Sequence, residues 1–371
     1  MGANPMLSKY DEYFCHQTPT TFDHVADSGE YWRENQWACI YDKTGKIFIS
    51  AVFGVSTNRN VMDASAQLTL DGKTQYTIRA SRELRPNNAD IAVGPMSYEI
   101  IEGLHSVRWV LAENEHGISW DITFEATMPP REEIPQFARS RGRLKENMCR
   151  WGQTGTATGW VKIEGETHVI TPEAWKAHRD RSWGVRWHPN FNFAEMQLQP
   201  PEPFLGLTFD WNSLEFGDWW VLSQRREAHD GELVHFSGGI TYAFHKDRPA
   251  TRLVGEKVEF ELVPGTKQLK SGRITYLTET GDEIIISFNV ITAIFIHAAG
   301  YWPYKGFKLG AWMGEKWMDG EKVDISNPEV FRQMEEAPLF MVECQCGDEK
   351  GTGMIQFGVH GNHYMYWPKQ D

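Results

Sequence analysis

We predict a mainly β protein, an antiparallel barrel or sandwich, from three features of the amino-acid sequence. Apolar and polar residues alternate along many short segments, as they do in strands with one buried face. Turns that carry glycine, such as DKTGK and HDGE, connect these segments. Helical periodicity is scarce, and many strands with tight turns and few helices are typical of antiparallel barrels and sandwiches.

The individual elements follow from the same patterns. Strands are predicted for KIFISAVFG (residues 46–54), SVRWVLAENEHGISWDITFEA (106–126), EKVEFELV (256–263) and GRITYLTETGDEIIISFNV (272–290). Two short helices are predicted, TPEAWKAHRD beginning near Thr171 and NPEVFRQMEE beginning near Asn327. In the second helix, Asn327 fits the capping position and Pro328 fits the first turn.

Two hairpins in different halves of the chain indicate a repeated β-domain. Residues 31–50 and 217–239 each contain a tryptophan-bearing strand, a glycine turn and a second apolar strand, in that order. The turn glycines, Gly45 and Gly231, are about half a chain apart. Chance similarity of two hairpins is the alternative explanation. We predict two tandem β-domains, at residues 1–175 and 176–371.

Charge and hydropathy exclude several classes of partner. The formal net charge is −13, so the average protein surface would repel a nucleic acid or an anionic membrane. No apolar stretch approaches the ~20 residues of a membrane span, and the N-terminal residues lack the apolar region of a secretory signal. Five scattered cysteines without a CxxC pair argue against a disulfide framework. We therefore expect a cytoplasmic protein with no nucleic-acid partner and no transmembrane segment.

Familiar cofactor motifs do not occur in the sequence. It contains no G-x-G-x-x-G between a strand and a helix, no Walker loop and no H-E-x-x-H. We therefore predict no cofactor and no metal site. The expected partner is a hydrophobic small molecule, bound as substrate or ligand, and a homodimer is the assembly that we consider.

Aromatic residues are abundant and suggest a ligand-binding surface. They make up 13% of the chain, with 16 tryptophans, which suits an apolar pocket or a sugar-stacking surface. Packing in a protein core is the ordinary role of each such residue, but as a group they suggest a cavity walled by aromatic rings. The candidates for its lining are Trp32, Trp37, Trp219, Trp220, His235 and Tyr242.

The stretch HRDRSWGVRW, residues 178–187, contains the strongest concentration of chemically useful side chains. In an extended strand, His178, Asp180 and Ser182 share one face, and Arg181 and Trp183 share the other. His178 and Asp180 could form an acid–base pair, or Asp180 could orient a histidine. The alternative is a structural seam, in which Asp180 pairs with an arginine and Trp183 plugs a barrel.

Four segments resemble a known family: RDRSWGVR (179–186), FGDWWVLSQRREAHDGEL (216–233), YWRENQWACIYDKTGKIFIS (31–50) and GDEKGTGMIQFG (347–358). They resemble the double-lipocalin family that includes hydroxyneurosporene synthase (carotenoid 1,2-hydratase), and within it an uncharacterised branch. The most specific part is the pattern Asp–x–x–Trp–Gly at Asp180, Trp183 and Gly184. The resemblance implies two tandem lipocalin-like antiparallel β-barrels with few short helices and an apolar pocket in or between them.

The same resemblance implies an activity and a set of residues. Relatives hydrate isolated double bonds of prenyl chains or steer cyclisations of polyenes, using Asp, His, Trp and Tyr near the domain interface. Asp180 and Trp183 match that motif directly, whereas His178 and Tyr242 match it by neighbourhood. Arg181 departs from the family, which commonly has a small or aromatic residue after the aspartate.

We therefore predict a cofactor-free lyase or isomerase, of hydratase or dehydratase type, acting on a hydrophobic molecule that is isoprenoid or steroid-like. A carboxyl group in an apolar cavity keeps its proton near neutral pH and can protonate an alkene, and aromatic rings stabilise the cation that forms. The predicted catalytic residues are Asp180, His178 and Tyr242, and the predicted substrate-binding residues are Trp183, Arg181, Trp219, Trp220, His235 and Trp37.

Two other functions fit the same sequence. A non-catalytic carrier of an apolar ligand would use a tryptophan-lined barrel equally well. A carbohydrate-active β-sandwich would use the acidic charge and the tryptophans, and it would need a pair of carboxylates. Asp180 can act as an acid only if the arginines near it, Arg179, Arg181 and Arg186, do not pair with its carboxylate.

Overall fold

The chain folds into two large curved sheets in which every described strand pair is antiparallel. The computed structural model describes residues 7–140, 142–186, 204–336 and 338–366. It confirms the predicted mainly β class with few short helices. Each helical segment in these ranges has five residues or fewer, so none could cross a bilayer.

Thirteen strands occupy the described part of the first half of the chain: β1 (Trp32–Asp42), β2 (Ile47–Ser56), β3 (Val61–Leu70), β4 (Thr74–Glu83), β5 (Ala92–Val93), β6 (Met96–Glu102), β7 (Ser106–Leu111), β8 (Ile118–Ala126), β9 (Arg131–Glu132), β10 (Gln136–Ser140), β11 (Arg143–Ile163), β12 (Glu166–Ile170) and β13 (Trp175–Val185). A single-turn 3-10 helix precedes them at Lys9–Glu12, and another follows β2 at Thr57–Arg59.

Nine strands follow in the described remainder: β14 (Gly206–Phe216), β15 (Trp219–Ala228), β16 (Leu233–Tyr242), β17 (Thr251–Leu262), β18 (Leu269–Thr278), β19 (Glu283–Phe295), β20 (Lys316–Asp324), β21 (Pro338–Cys346) and β22 (Glu349–Gly361). The helical segments of this half are 3-10 turns at Phe244–Lys246 and Ile296–Ala299 and the α-helix α1 (Pro328–Arg332).

The two sheets curve differently. The second sheet is a closed barrel in the order β14-β15-β16-β17-β18-β19-β21-β22, because β22 pairs back with β14. The first runs β20-β4-β3-β2-β1-β13-β11-β8-β7-β6-β5, with no closing ladder among the described residues, and β9, β10 and β12 branch from β11. Strand β4, which is next to the β20 end, still approaches the β5 end, since Arg82 Nε on β4 donates to the carbonyl of Ala92 on β5 at 2.8 Å.

Sheet membership divides the chain elsewhere than at the predicted boundary between residues 175 and 176. Strand β13 begins at Trp175 and pairs along its length with β1 and β11 of the first sheet. The described part of the second sheet begins at Gly206, and β20 returns to the first sheet to pair with β4. The division into two domains at those residues stays a prediction.

The hairpins used to infer a repeat are not equivalent in the fold. Strands β1 and β2 form the first hairpin of the first sheet, and β1 pairs with the last strand of that meander, β13. In the second barrel the corresponding first strand is β14, whereas Gly231 lies in the next hairpin, between β15 and β16. The similarity around Gly45 and Gly231 therefore links hairpins at different positions.

One of the two predicted helices is wrong and the other is confirmed. The segment from Thr171 makes only a turn, closed by the Trp175 N–H on the Thr171 carbonyl, before it continues as β13. Ladders on both sides of β13 override its helical pattern. At α1, Asn327 caps the helix by accepting from the Glu329 N–H at 3.0 Å.

The side chains of β1 point alternately into the first barrel and toward the second. Ala38 and Ile40 point into the apolar core enclosed by the first sheet. Trp37, Cys39 and Tyr41 point the other way, into a separate cluster shared with the second barrel. Each barrel is therefore filled on the inside, and the outer faces of the two sheets pack against each other.

This inter-barrel cluster is apolar and tightly packed. Its members from the first sheet include Trp37, Cys39, Tyr41, Phe48 and Val52, and those from the second include Trp211, Trp220, Leu222, Leu339, Met341 and Met354. Gly152 on β11 permits the close approach, because a Cβ there would lie 2.9 Å from Leu222 Cδ2. Polar contacts border the cluster, where Thr154 Oγ1 donates to Glu215 at 2.6 Å and Lys176 pairs with the same carboxylate.

We expect Leu222→Ala to lower the free energy of unfolding by about 2–5 kcal/mol, because it opens a cavity between the barrels. Urea titration followed by tryptophan fluorescence measures the change. Leu277→Ala, at an exposed position of β18, is the matched control and should change stability by less than about 1 kcal/mol. Equal effects of the two substitutions would contradict close packing at the inter-barrel cluster.

Candidate active site

Strand β13 brings the central charged stretch to the junction of the two barrels. Asp180 lies opposite Trp37 on β1 and Gly152 on β11. The faces alternate as predicted: His178 contacts Ser213 of the second barrel, whereas the guanidinium of Arg179 lies 4.9 Å from the Phe124 ring inside the first. Trp187, the last residue of the stretch, is outside the described residues.

Two adjacent cavities open between the barrels beside this strand. The outer cavity has a volume of about 290 Å³ and the inner one about 50 Å³. They share four lining residues: Asn35, Arg186, Tyr301 and Gln356. Aromatic side chains from both barrels line the outer cavity, among them Trp32, Phe209 and Trp302. Together the two spaces form one cleft, which we call the inter-barrel cleft.

Asp180 lines the inner cavity and is only 9% exposed. Its Oδ2 lies 3.4 Å from Arg150 Nε, a loose ion pair, and its Oδ1 is buried without a hydrogen-bond partner in the described residues. Burial raises the pKa of the Asp180 carboxyl to about 6, against the opposing effect of the Arg150 and Arg186 guanidinium groups. The carboxyl therefore exchanges a proton near neutral pH, next to an empty space.

Aromatic rings surround the space that Asp180 faces. Trp37 and Trp211 meet edge to face at a centroid distance of 5.6 Å, and both line the inner cavity. Their indole N–H groups are bound elsewhere, Trp37 to Ser50 Oγ at 3.1 Å and Trp211 to Glu133 Oε1 at 2.7 Å. The rings are thus held in place, with these polar atoms directed to protein partners.

His178, a predicted catalytic residue, lies in the seam and not in the lining of either cavity. Its Nε2 is 2.9 Å from the Tyr41 hydroxyl, and its Nδ1 is 2.7 Å from Ser213 Oγ. Ser213 Oγ already accepts from Trp220 Nε1, so it is available to donate to Nδ1. Burial lowers the pKa of His178 to about 3, so the ring is a neutral part of the barrel contact.

Tyr242, the other predicted partner of Asp180, lies away from the cleft. Its hydroxyl is 3.1 Å from Thr251 Oγ1, and the Arg248 guanidinium lies over its ring at 4.2 Å. Tyr301 is the tyrosine that lines both cavities. Burial raises the pKa of the Tyr301 hydroxyl, and the Asp180 charge raises it further, so the phenol stays protonated.

Of the residues predicted to line a pocket or bind a substrate, Trp37 lines the inner cavity and Trp32 lines the outer one, and the others line neither of these two cavities. Trp183 is 38% exposed, and Arg181 pairs with Glu34 at 3.1 Å. Trp220 is buried in the seam, where it donates to Ser213. Trp219 stacks on Phe216 at a centroid distance of 4.3 Å and donates to Glu349. His235 is half-buried, and its pKa is lowered to about 4, chiefly by burial.

Arginines that sequence reasoning missed shape the cleft. Arg33 binds both carboxylate oxygens of Asp63, and its guanidinium lies against Gly54, where any side chain would collide with it. Asp63 also accepts from the Gly310 N–H at 2.6 Å and so fixes the loop after Tyr301. These contacts join segments that are far apart in the sequence, so no local sequence pattern predicts them.

Residues 7–366 match a family described as a family of unknown function (DUF8625). The chain belongs to that family. No curated protein gives a significant match. The fold of the DUF8625 chain, in contrast, is similar to those of several solved structures.

Solved structures share this fold at low sequence identity. An AttH-like protein from Nitrosomonas europaea superposes with a TM-score of 0.56 and 11% identity, covering 92% of this chain and 98% of its own. CghA with Sch210972 gives 0.51 and 11%, covering 90% and 89%. A kievitone hydratase from Nectria haematococca gives 0.43 and 12%, covering 87% and 88%. The first two likenesses establish the shared fold of the DUF8625 chain; its relation to carotenoid 1,2-hydratase stays a prediction.

The raised pKa of Asp180 predicts a pH-dependent effect on stability. Its pKa in the folded chain, about 6, exceeds the ordinary value of 3.8, so the folded state holds the proton more tightly. The stability due to this proton is fully present below pH 3.8 and is lost as the pH rises through about 6. We expect Asp180→Asn to be more stable relative to the native chain at pH 8 than at pH 4.5, by about 2 kcal/mol.

Thermal unfolding of both chains at the two pH values measures this difference. Asp218→Asn is the control, because Asp218 is an exposed residue whose carboxyl pKa is lowered by Lys246, so it lacks the raised pKa. A stability difference between Asp180→Asn and the native chain that is constant with pH would show that Asp180 is not a strained, buried carboxyl.

Proposed function

We propose that the chain is a cofactor-free enzyme of hydratase, dehydratase or isomerase type, acting on an apolar small molecule in the inter-barrel cleft. The observation that carries the proposal is the buried Oδ1 of Asp180, which has no hydrogen-bond partner in the described part of the chain and lies at the edge of an aromatic-lined space. Buried polar atoms in proteins normally have hydrogen-bond partners. We therefore expect the partner of Asp180 Oδ1 to be an atom of the bound ligand. A carboxyl with a pKa near 6 is well matched to proton transfer at neutral pH.

In the proposed reaction Asp180 donates its proton to a double bond of the bound molecule. The positive charge that develops on carbon is stabilised by the faces of the nearby rings, which are those of Trp37, Trp211 and Tyr301. At the same moment Asp180 becomes ionised, and Arg150 at 3.4 Å stabilises the carboxylate. The loose pair explains how one residue can be protonated before the step and stable as an anion after it.

The second half of the reaction needs a base. Hydration adds water to the cation, and isomerisation removes a neighbouring proton instead; in both cases one proton returns to the Asp180 carboxylate. We assign this role to Asp180 because His178 has both ring nitrogens occupied by Tyr41 and Ser213. The Tyr301 phenol, held protonated, can donate a hydrogen bond to the attacking water or to a substrate oxygen.

The dimensions of the cleft suggest how a substrate lies in it. The inner cavity, about 50 Å³, holds the reacting end or a water molecule, and the outer cavity, about 290 Å³, holds the body of the molecule. A compact molecule or one end of an isoprenoid chain fits this arrangement. CghA, which shares the fold, holds the small molecule Sch210972, and this supports small-molecule binding by the present chain.

A non-catalytic carrier is the second candidate, and the Arg150–Asp180 ion pair favours it. If the pair keeps Asp180 ionised whenever a ligand is bound, the cleft would bind the ligand without converting it. Native mass spectrometry of the purified chain identifies a bound compound, and incubation of that compound with the chain shows whether it is converted. The carbohydrate alternative has less support, because Asp180 is the single carboxylate in the described lining of the inner cavity. Of the two carboxylates that line the outer cavity, Glu30 and Glu336, the second is already bound by His360 and Lys267.

We expect Asp180→Asn to reduce turnover by about 10²–10⁴-fold, since an amide cannot donate the proton. Turnover is measured by mass spectrometry on the compound identified in the cleft. Asp218→Asn, at an exposed position, should leave the rate unchanged. If Asp180→Asn keeps the native rate and folds normally, the proposed role of Asp180 is wrong.

Removing the charge of Arg150 should move the pH dependence of the rate. Arg150 favours the ionised form of Asp180, so Arg150→Met raises the pKa of the acid and shifts the loss of activity at high pH further upward. Arg150→Lys keeps a cation and should shift the profile less. A pH–rate profile that is identical in the native chain and in Arg150→Met would rule out Asp180 as the titrating acid.

A further inference from the structure

We propose that the ligand of the inter-barrel cleft is an organic anion whose acidic oxygen group binds Arg186 while its apolar body lies against Trp32, Phe209 and Trp302. The inference rests on the cleft of the proposed function and names the chemical class of its ligand. It concerns binding, so it can be tested without any turnover.

Arg186 is placed to receive a ligand. It follows β13 directly and lines both cavities of the cleft. Its Nη2 donates to Ser182 Oγ at 2.7 Å, but its Nε is buried without a hydrogen-bond partner among the described residues. No Asp or Glu oxygen in those ranges lies within 4.0 Å of its guanidinium. A half-buried guanidinium with an unpaired, buried Nε and no carboxylate beside it is unfavourable, because charges removed from water need partners.

The other described arginines that line the cleft have partners within the chain, and for Arg59 these are the backbone carbonyls of Glu30 and Gly310. Arg33 binds the carboxylate of Asp63, and Arg150 lies between Asp180 and Glu133. Burial and the repulsion of Arg150 and Arg33 lower the pKa of Arg186 to about 9, which still leaves it charged at neutral pH. The described lining of the two cavities holds Arg33, Arg59, Arg150, Arg186 and Lys308 against the carboxylates of Glu30, Asp180 and Glu336, so the cleft carries an excess of positive charge in a chain of net charge −13.

The walls of the outer cavity select for an organic anion. An inorganic anion would satisfy Arg186 but leave the rings of Trp32, Phe209 and Trp302 facing empty space. An amphiphilic acid, with a carboxylate or enolate at one end and an apolar body, fills both parts. A neutral hydrocarbon would fill the apolar part only, and it would bury Arg186 further without a counter-charge.

Binding of such an anion also prepares Asp180 for proton transfer. The negative charge of the ligand would lie beside Asp180 and raise the pKa of its carboxyl. Asp180 is therefore protonated when the substrate is bound. The charged and titratable groups that act on Asp180 from the surrounding elements are Arg150, Arg186, Glu133, Arg181 and Tyr301. The anion offsets the lowering of the Asp180 pKa by Arg186, and the contact between Asp180 and Arg150 stays in place.

Two fluorescent probes that differ by one charged group test the inference. They are 1-anilinonaphthalene-8-sulfonate and its uncharged counterpart N-phenyl-1-naphthylamine. We expect the native chain to prefer the sulfonate and Arg186→Met to lose about 10- to 100-fold of sulfonate affinity, with less than about twofold change for the amine. Arg273→Met, an exposed arginine of the second barrel, is the matched control and should change neither affinity.

Two outcomes of this titration overturn the inference: a native chain without preference for the sulfonate, and an Arg186→Met chain that keeps it. Arg186→Lys retains the charge and should keep most of the preference, which separates loss of charge from loss of fold. Because neither probe is converted, the result is independent of the turnover of Asp180→Asn. The anion site and the acid role of Asp180 can therefore fail separately.

A pH series tests the coupling to Asp180. The sulfonate stays ionised between pH 5 and pH 8, so any change in its affinity reports on the protein. Affinity should rise as the pH falls through about 6 in the native chain, and Asp180→Asn should bind tightly at every pH. A pH dependence that persists in Asp180→Asn would assign the effect to another group of the protein and would overturn the coupling to Asp180.

Discussion

The packing of the outer face of β1 and β13 against β14 and β15 governs the chemistry of this molecule. It removes water from a surface that carries charged and titratable side chains, and each responds according to its partners. His178, enclosed by Tyr41 and Ser213, becomes neutral and structural. Asp180, two residues further along the same face, lies at the end of the apolar contact where the cleft begins, and burial raises the pKa of its carboxyl to about 6.

The cleft is a place where this packing is incomplete. Its walls are side chains from both barrels, and the loop that carries Tyr301 and Gly310 completes it. The Arg33–Asp63 pair holds that loop through the Gly310 N–H, so the shape of the cavity depends on an ion pair between Arg33 in its wall and Asp63 behind that wall. A ligand site formed in this way is preorganised by the same contacts that join the two halves of the chain.

Part of this arrangement could be read from the sequence and part could not. Alternation revealed the strands and placed His178 and Asp180 on one face, because strand periodicity is a local property. It could not reveal that Tyr301, and not Tyr242, lines the cleft, since that depends on a loop folding back between barrels. The helix expected near Thr171 failed for a related reason: pairing with two neighbouring strands outweighs local propensity.

The return of β20 to the first sheet has a consequence for synthesis of the chain. Strand β4 is the edge of the first sheet until Lys316–Asp324 pairs with it, and those residues follow six strands of the second barrel. During translation, the first barrel therefore exposes an unsatisfied strand edge while most of its partner is being made. Such a chain gains from a chaperone that shields this edge, and a truncation before residue 316 would leave it open to aggregation.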